Sequence, residues 1–291
     1  MLSRLIDRLT GRGKRITEPE PDLTATVLKQ NVSTQLPNDN DPNENHAVVG
    51  LRDIMDSGWF NSATHEICPG VVISASDTVL DVGCGDGGAV KFCADQGAHI
   101  IYLDINADKV ASLEQQLKQR SAASVRGIVG TGDNIEVADE TADKIVCTEV
   151  LEHVDDPDSV MTEMVRVGKR GALYLLTVPH DAGESVMQDT APDQYFQKPN
   201  HIRIFTQQDF ESLVEKAGLE LVRYEKMGAF WTLFFAIFWA TGADFVQPKN
   251  PALKNWSKTW ASMLEHERGR QMKAAMDQAI PSKQFILARK P

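Results

Sequence analysis

Residues 78–88 read Thr-Val-Leu-Asp-Val-Gly-Cys-Gly-Asp-Gly-Gly, and the fold turns on how they are read. A short apolar run closes on an acid, breaks into glycines and gives way to a helix-period segment at 89–96. That order predicts strand, tight turn and helix. Glycine suits such a turn because it reaches positive φ freely and has no Cβ to hold a ligand off the backbone. The helix behind it would aim free N–H groups and the positive end of its dipole at that ligand. By spacing, Gly83, Gly85 and Gly88 satisfy G-x-G-x-x-G, a pattern that fits a dinucleotide cofactor. The carboxylates argue against it: Asp81 precedes the first glycine by two residues and Asp86 lies inside the loop. Two phosphates would meet repulsion there, whereas a ligand with an ammonium and a sulfonium would be favoured.

Outward from this stretch, strands and helices alternate. Further strands are predicted at 99–103, ending in Asp104, and at 125–129, 143–147, 172–178, 219–224 and 284–288. Helices are predicted through 106–117, 157–167 and 206–217, and a helix at 47–57 is expected to open the domain and cover the cofactor site. This alternation implies an α/β fold, a doubly wound and mostly parallel seven-stranded sheet with helices on both faces and ligands at the strands' carboxyl ends. Asp104 stands about 20 residues beyond the loop, where a carboxylate can accept from both ribose hydroxyls of a nucleoside. Asn106 is better placed to cap the helix that follows.

Asp81, Gly83, Gly85 and Gly87 match D/E-x-G-x-G-x-G, and here the chain resembles the class I S-adenosylmethionine-dependent methyltransferases. Gly132-Asp133-Asn134, the acidic run 139–143, and Glu149-Val150-Leu151-Glu152-His153-Val154 are similar to later motifs of the ubiquinone-biosynthesis-like small-molecule methyltransferases. Residues 175–180 and 201–206 also fit, so the resemblance spans about 77–224. It implies a Rossmann-like fold, S-adenosyl-L-methionine as cofactor and a small-molecule acceptor methylated at oxygen. It also implies that Asp133 meets the adenine amino group and that the segment after the fourth strand flanks the methionine end. The expected cofactor-binding residues are Asp81, Gly83, Cys84, Gly85, Asp104, Ile105, Asp133, Asn134, Thr148 and Glu149. Two rivals stand beside this reading. An NAD(P)-dependent oxidoreductase shares the loop and Asp104 but leaves Asp81 and the later motifs unexplained; a non-catalytic S-adenosylmethionine-binding protein would keep the pocket without turnover.

The sulfonium already activates the methyl group, so an enzyme must align a nucleophile behind it, exclude water and remove a proton. The candidate catalytic bases are His180, His201 and His153, because imidazole titrates near neutral pH. His180 is the first choice, as it follows the fifth strand directly, at a place where the resembled family often has Asn. No metal is expected, since no H-x-x-x-H or comparable ligand spacing occurs.

The 291 residues carry a formal charge of −11, which opposes general nucleic-acid binding. Four cysteines without a C-x-x-C pair are expected to be reduced thiols in a cytoplasmic protein. Residues 1–45 are expected to hold a short basic amphipathic helix and a proline-rich flexible linker, with weak peripheral contact to the inner membrane face as one role. Residues 46–291 are expected to form the methyltransferase domain. Within it, 227–281 is expected to be a helical, aromatic-rich insertion before the last strand, with Trp231, Phe234, Phe235 and Phe238 sharing one face. Core, lid over an apolar or lipidic acceptor, and membrane face all remain open for that stretch.

Overall fold

The computed structural model describes residues 41–188, 190–198, 200–243 and 250–291. The basic helix and most of the linker expected in 1–45 therefore lie outside the described residues. After a 3₁₀ turn at Pro42–Glu44, Asn45 caps helix α1 (His46–Asp56), its Oδ1 accepting from the N–H groups of Ala47 and Val48. A small hairpin follows, β1 (Glu66–Cys68) and β2 (Val71–Val72). The main alternation then runs β3 (Thr78–Val82), α2 (Gly88–Asp95), β4 (His99–Asp104), α3 (Ala107–Leu117), β5 (Ser124–Val129), β6 (Ala142–Thr148), α4 (Pro157–Val167) and β7 (Gly168–Pro179). It continues with α5 (Asp181–Met187), α6 (Gln207–Lys216), β8 (Glu220–Met227), three successive helices α7 (Ala229–Ala240), α8 (Pro251–Leu264) and α9 (Glu267–Ala279), and β9 (Lys283–Arg289).

Seven strands form one sheet in the order β5-β4-β3-β6-β7-β9-β8. Strands β3 to β7 pair in parallel, and β9 enters antiparallel between β7 and β8. The order reverses at β3, which pairs with β4 on one side and β6 on the other, so a crevice opens beyond its carboxyl end. Alternate residues of the central strands feed two cores. Leu80, Val82 and Ile145 join one, while Val79, Tyr102 and Val146 join the other. Burial on both faces is why these strands are almost continuously apolar.

A third core lies in the insertion, where Val49 of α1 meets Phe230, Phe234 and Phe238 of α7 and Leu253, Trp260 and Leu264 of α8. Helix α1 packs on α8 and α7. A buried polar clasp reinforces the union: Trp260 Nε1 donates to Asp53 at 2.8 Å, and Lys273 Nζ donates to Asp277 at 2.6 Å and to Ser57 at 2.8 Å. The buried stripe of α7 is Phe230, Phe234 and Phe238, while Trp231 and Phe235, expected on the same face, are only half-buried. A helix apolar all round gives periodicity no face to choose. The choice is made by α8, whose Trp256 stacks on Phe230 at 6.1 Å and whose Trp260 lies 5.9 Å from it. Among the described residues, no helix is long and apolar enough to cross a membrane.

Candidate active site

Gly83, Gly85 and Gly87 take φ values of 72°, 51° and 76°. Two of them are also closed to any larger residue: a Cβ at Gly83 would lie 2.4 Å from Val150, and one at Gly87 2.4 Å from Leu113. The turn is anchored by the N–H groups of Gly83 and Cys84, both donating to the Leu103 carbonyl at 2.9 Å. The Gly85 N–H donates to Asp104 Oδ2 at 3.0 Å, and the Asn106 N–H to Asp104 Oδ1 at 2.9 Å. Each carboxylate oxygen thus holds one backbone donor and keeps acceptor capacity for a ribose hydroxyl. Asn106 caps α3 as expected, accepting from Asp108 and Lys109. A cleft opens beside the turn, lined by Gly85, Asp86, Asn106 and Lys109. Ile105, next to Asp104, is 76% exposed, an apolar surface fit to be covered by a purine plane. Asp133 and Asn134 are exposed beyond β5, and Thr148 and Glu149 are half-buried at the end of β6. Glu149 adopts a left-handed φ of 55°, a strained state for a non-glycine residue. Its Oε1 accepts from Thr177 Oγ1 at 2.8 Å.

Asp81 is buried, and its Oδ1 has no hydrogen-bond partner among the described residues. Burial, with the negative charge of Asp104 second, pushes its pKa to about 7. A buried carboxyl short of donors and facing another carboxylate suits a cationic ligand, and the sulfonium and ammonium of S-adenosylmethionine fit that demand. Burial also raises the pKa of Asp86, opposed by Lys109 and Lys91.

A second group assembles from the turn after β6, helix α5 and the loop before α6. Glu152 is fully buried, and neither carboxyl oxygen has a hydrogen-bond partner among the described residues. Burial, helped by the charge of Glu149, holds its pKa well above the ordinary carboxyl range. His153 Nδ1 donates to the Asn200 carbonyl at 2.9 Å, and its Nε2 lies 3.5 Å from Glu152 Oε1. His201 Nδ1 lies 3.2 Å from both carboxylate oxygens of Glu184, which also accepts from the Tyr195 hydroxyl at 3.2 Å. Burial and the adjacent Glu184 keep the Tyr195 phenol protonated. The imidazoles of His153 and His201 meet edge to face at 5.2 Å, Tyr195 sits 4.7 Å from His201, and Trp239 of α7 lies 6.1 Å from Tyr195. Glu152, His153 and His201 each bring one potential ligand atom within 4.8 Å of the others.

His180 behaves differently from the sequence expectation. It is buried, its Nδ1 accepts from the Ala182 N–H at 3.0 Å, and it thereby caps α5. The same nitrogen lies 2.7 Å from Asp181, which would require it to donate. Burial lowers the His180 pKa and so favours the neutral, accepting ring. A lone pair committed to a helix cap is not available to a substrate proton. The expectation of no metal rested on spacing along the chain; folding gathers two histidines and a carboxyl across 49 residues, so that ground falls away. Sequence reasoning gave no role to Glu184 or Tyr195, placed Glu152 only within the motif 149–154, and counted Trp239 only as part of the apolar surface of the insertion. The adjacent pair Glu152-His153, directly after a strand, was the available signal.

The family described as a methyltransferase domain matches residues 25–224, more than half of the chain. The chain belongs to the class I S-adenosylmethionine-dependent methyltransferase family. The oxidoreductase reading of the glycine turn is thereby set aside. Among the chain's relatives, the ubiquinone biosynthesis O-methyltransferase of Hahella chejuensis is 37% identical over 102 residues, 34% of this chain and 42% of that protein. The Klebsiella pneumoniae enzyme of the same name is 27% identical over 172 residues, 54% of this chain and 70% of its own length. The chain thus spans less than half of the first relative's length. In three dimensions the methyltransferase resembles geranyl diphosphate C-methyltransferase of Streptomyces coelicolor, with a TM-score of 0.50 at 12% identity over 83% of this chain and 79% of the other. The cyclase SpnF aligns with a TM-score of 0.51 at 18% identity, covering 85% and 82% of the two chains. Such distant likenesses speak to the fold, which hosts more than one chemistry.

Proposed function

We propose that this methyltransferase moves the methyl group of S-adenosylmethionine to a hydroxyl oxygen of a small organic acceptor, received at Glu152, His153 and His201. The convergence of those three side chains carries the reading. On the cofactor side, Asp104 takes the ribose hydroxyls, Ile105 and the exposed pair Asp133 and Asn134 take the adenine, and Asp81, Cys84, Thr148 and Glu149 surround the methionine end. The acceptor hydroxyl gives its proton to Nε2 of His201. Its oxygen lone pair forms the new O–CH₃ bond as the S–CH₃ bond breaks, and the bonding pair returns to sulfur, releasing neutral S-adenosylhomocysteine. Tyr195 and Trp239 give the acceptor an aromatic wall, so the molecule is apolar around its hydroxyl. The names of the relatives, both O-methyltransferases, support oxygen as the target.

The expected outcome of His201→Asn is a loss of 10²- to 10⁴-fold in kcat, the usual contribution of a positioned base, measured against a panel of phenols. Affinity for S-adenosylhomocysteine should stay unchanged. Full activity of that variant rejects the assignment. The same three residues favour a second reading, because two imidazoles and a carboxylate are a recurrent ligand set for divalent transition metals. A bound cation there would polarise the acceptor hydroxyl and orient it towards the methyl group. Activity lost with chelator and regained with manganese or magnesium favours this reading; activity indifferent to chelation leaves His201 as the base.

A further inference from the structure

Both readings of the cluster require His201 to present a lone pair on Nε2. A neutral imidazole carries its proton on either nitrogen, and the group bonded to one decides which. Nδ1 lies 3.2 Å from both oxygens of Glu184, and a carboxylate only accepts, so Nδ1 must carry the hydrogen. Glu184 is itself fixed. It is 3% exposed, it accepts from the Tyr195 hydroxyl at 3.2 Å, and the Tyr195 ring lies 4.7 Å from the imidazole at an interplanar angle of 50°. Its helix is fixed in turn: His180 caps the first turn of α5, and a Cβ at Gly183 would come within 2.4 Å of the Pro281 carbonyl oxygen. Helix α5 is therefore pressed on the segment leading into β9, and Glu184 follows that contact by one residue.

We propose that Glu184 and Tyr195 form a buried clamp that holds His201 as its Nδ1–H tautomer, making Glu184 a positioning residue for methyl transfer. The proposal rests on the reading that the cluster receives the acceptor. His153 obtains the same tautomer from a backbone group, since its Nδ1 donates to the Asn200 carbonyl. His201 depends on a side chain from another element, so a substitution there releases the ring without touching the ring itself.

The test is long-range ¹H–¹⁵N NMR of the full chain bound to S-adenosylhomocysteine, with steady-state kinetics on the same samples. Wild type should show His201 Nε2 unprotonated. Glu184→Ala should mix the two tautomers and lower kcat by about 10- to 100-fold, the usual loss when an orienting partner of a working histidine is removed, with S-adenosylhomocysteine affinity unchanged. Glu184→Gln keeps an accepting oxygen and should restore the tautomer and most of kcat, a rescue that a purely structural role would not produce. Tautomer populations unchanged by Glu184→Ala overturn the clamp, and a shifted tautomer with unchanged kcat overturns its part in the reaction. Should the alanine variant fail to fold, Tyr195→Phe decides: a few-fold loss in kcat with a visible second tautomer supports the clamp, and neither change refutes it. His201→Asn tests the underlying reading separately, because its full activity would remove the acceptor site while the tautomer result still stands.

Discussion

Replacing Asp81 with Asn separates what this residue does for the fold from what it does for the cofactor. Its carboxyl is buried, and its pKa rises from 3.8 to about 7, chiefly through burial and then through Asp104. At 1.36 kcal/mol per pH unit, a rise of about three corresponds to roughly 4 kcal/mol against the ionised form. The unfolded chain releases this proton near 3.8, while the folded protein holds it until about 7. The associated stability is therefore complete below the unfolded value, erodes as pH rises between the two, and is gone above about 7. Asparagine cannot ionise, so the variant escapes this loss. Its amide still buries a polar group short of partners, which reduces the expected gain at pH 8 to roughly 1–3 kcal/mol. Near pH 4 the two proteins should be almost equally stable. Urea unfolding of the cofactor-free proteins at about pH 4.5 and about pH 8 measures the difference. Calorimetry at the higher pH should show the variant losing affinity for cationic S-adenosylmethionine more than for neutral S-adenosylhomocysteine. An Asn variant that is no more stable than wild type at pH 8, or that loses both ligands equally, would refute the argument.

Four further outcomes follow from the same geometry. Asp104→Ala should weaken S-adenosylhomocysteine binding by ~1–3 kcal/mol, the range for charged hydrogen bonds, as read by titration calorimetry. Gly87→Ala should abolish cofactor binding before it unfolds the domain, because the new Cβ would have to displace Leu113 from 2.4 Å at a φ of 76°; calorimetry alongside circular dichroism checks the order. Phe238→Ala should cost about 3–5 kcal/mol of stability as a core truncation. Trp239→Ala, half-buried beside Tyr195, should instead raise the acceptor's KM with little change in melting temperature.

The seven strands were legible because a parallel sheet covered on both faces writes itself as short apolar runs between helix-period segments, and the runs at 99–103 and 172–178 are of that kind. The glycine turn was legible for a different reason: backbone conformation and close approach both demand glycine there, so the demand is local and leaves a local mark. The hairpin of β1 and β2 left no such mark, being only three and two residues long. Helix α7 was visible as apolar, yet its buried face was not, because that face is chosen by α8 and α1 rather than by its own period. The cluster around His201 was the hardest to see. Glu152, Glu184, Tyr195 and His201 come from three segments, and nothing within any one of them requires the others.

Where the buried polar groups lack partners also bears on function. Asp81 and Asp86 at the glycine turn and Glu152 after β6 each retain a buried carboxyl oxygen with no hydrogen-bond partner among the described residues. All three lie at the carboxyl side of the sheet, on the strand or turn residues around the crevice at β3 and β6. The charged groups buried between α1 and the insertion are paired instead: Lys273 meets Asp53 and Asp277, and Asp53 accepts from Trp260, at 2.6–3.7 Å. Since an unmet buried polar group costs about 1–3 kcal/mol, leaving several along one edge makes the ligand-free protein less stable than its packing allows. On the proposed reading, ligands that arrive with a sulfonium, an ammonium and a hydroxyl proton would meet those groups in turn, and the stability withheld from the empty fold would return as binding energy there.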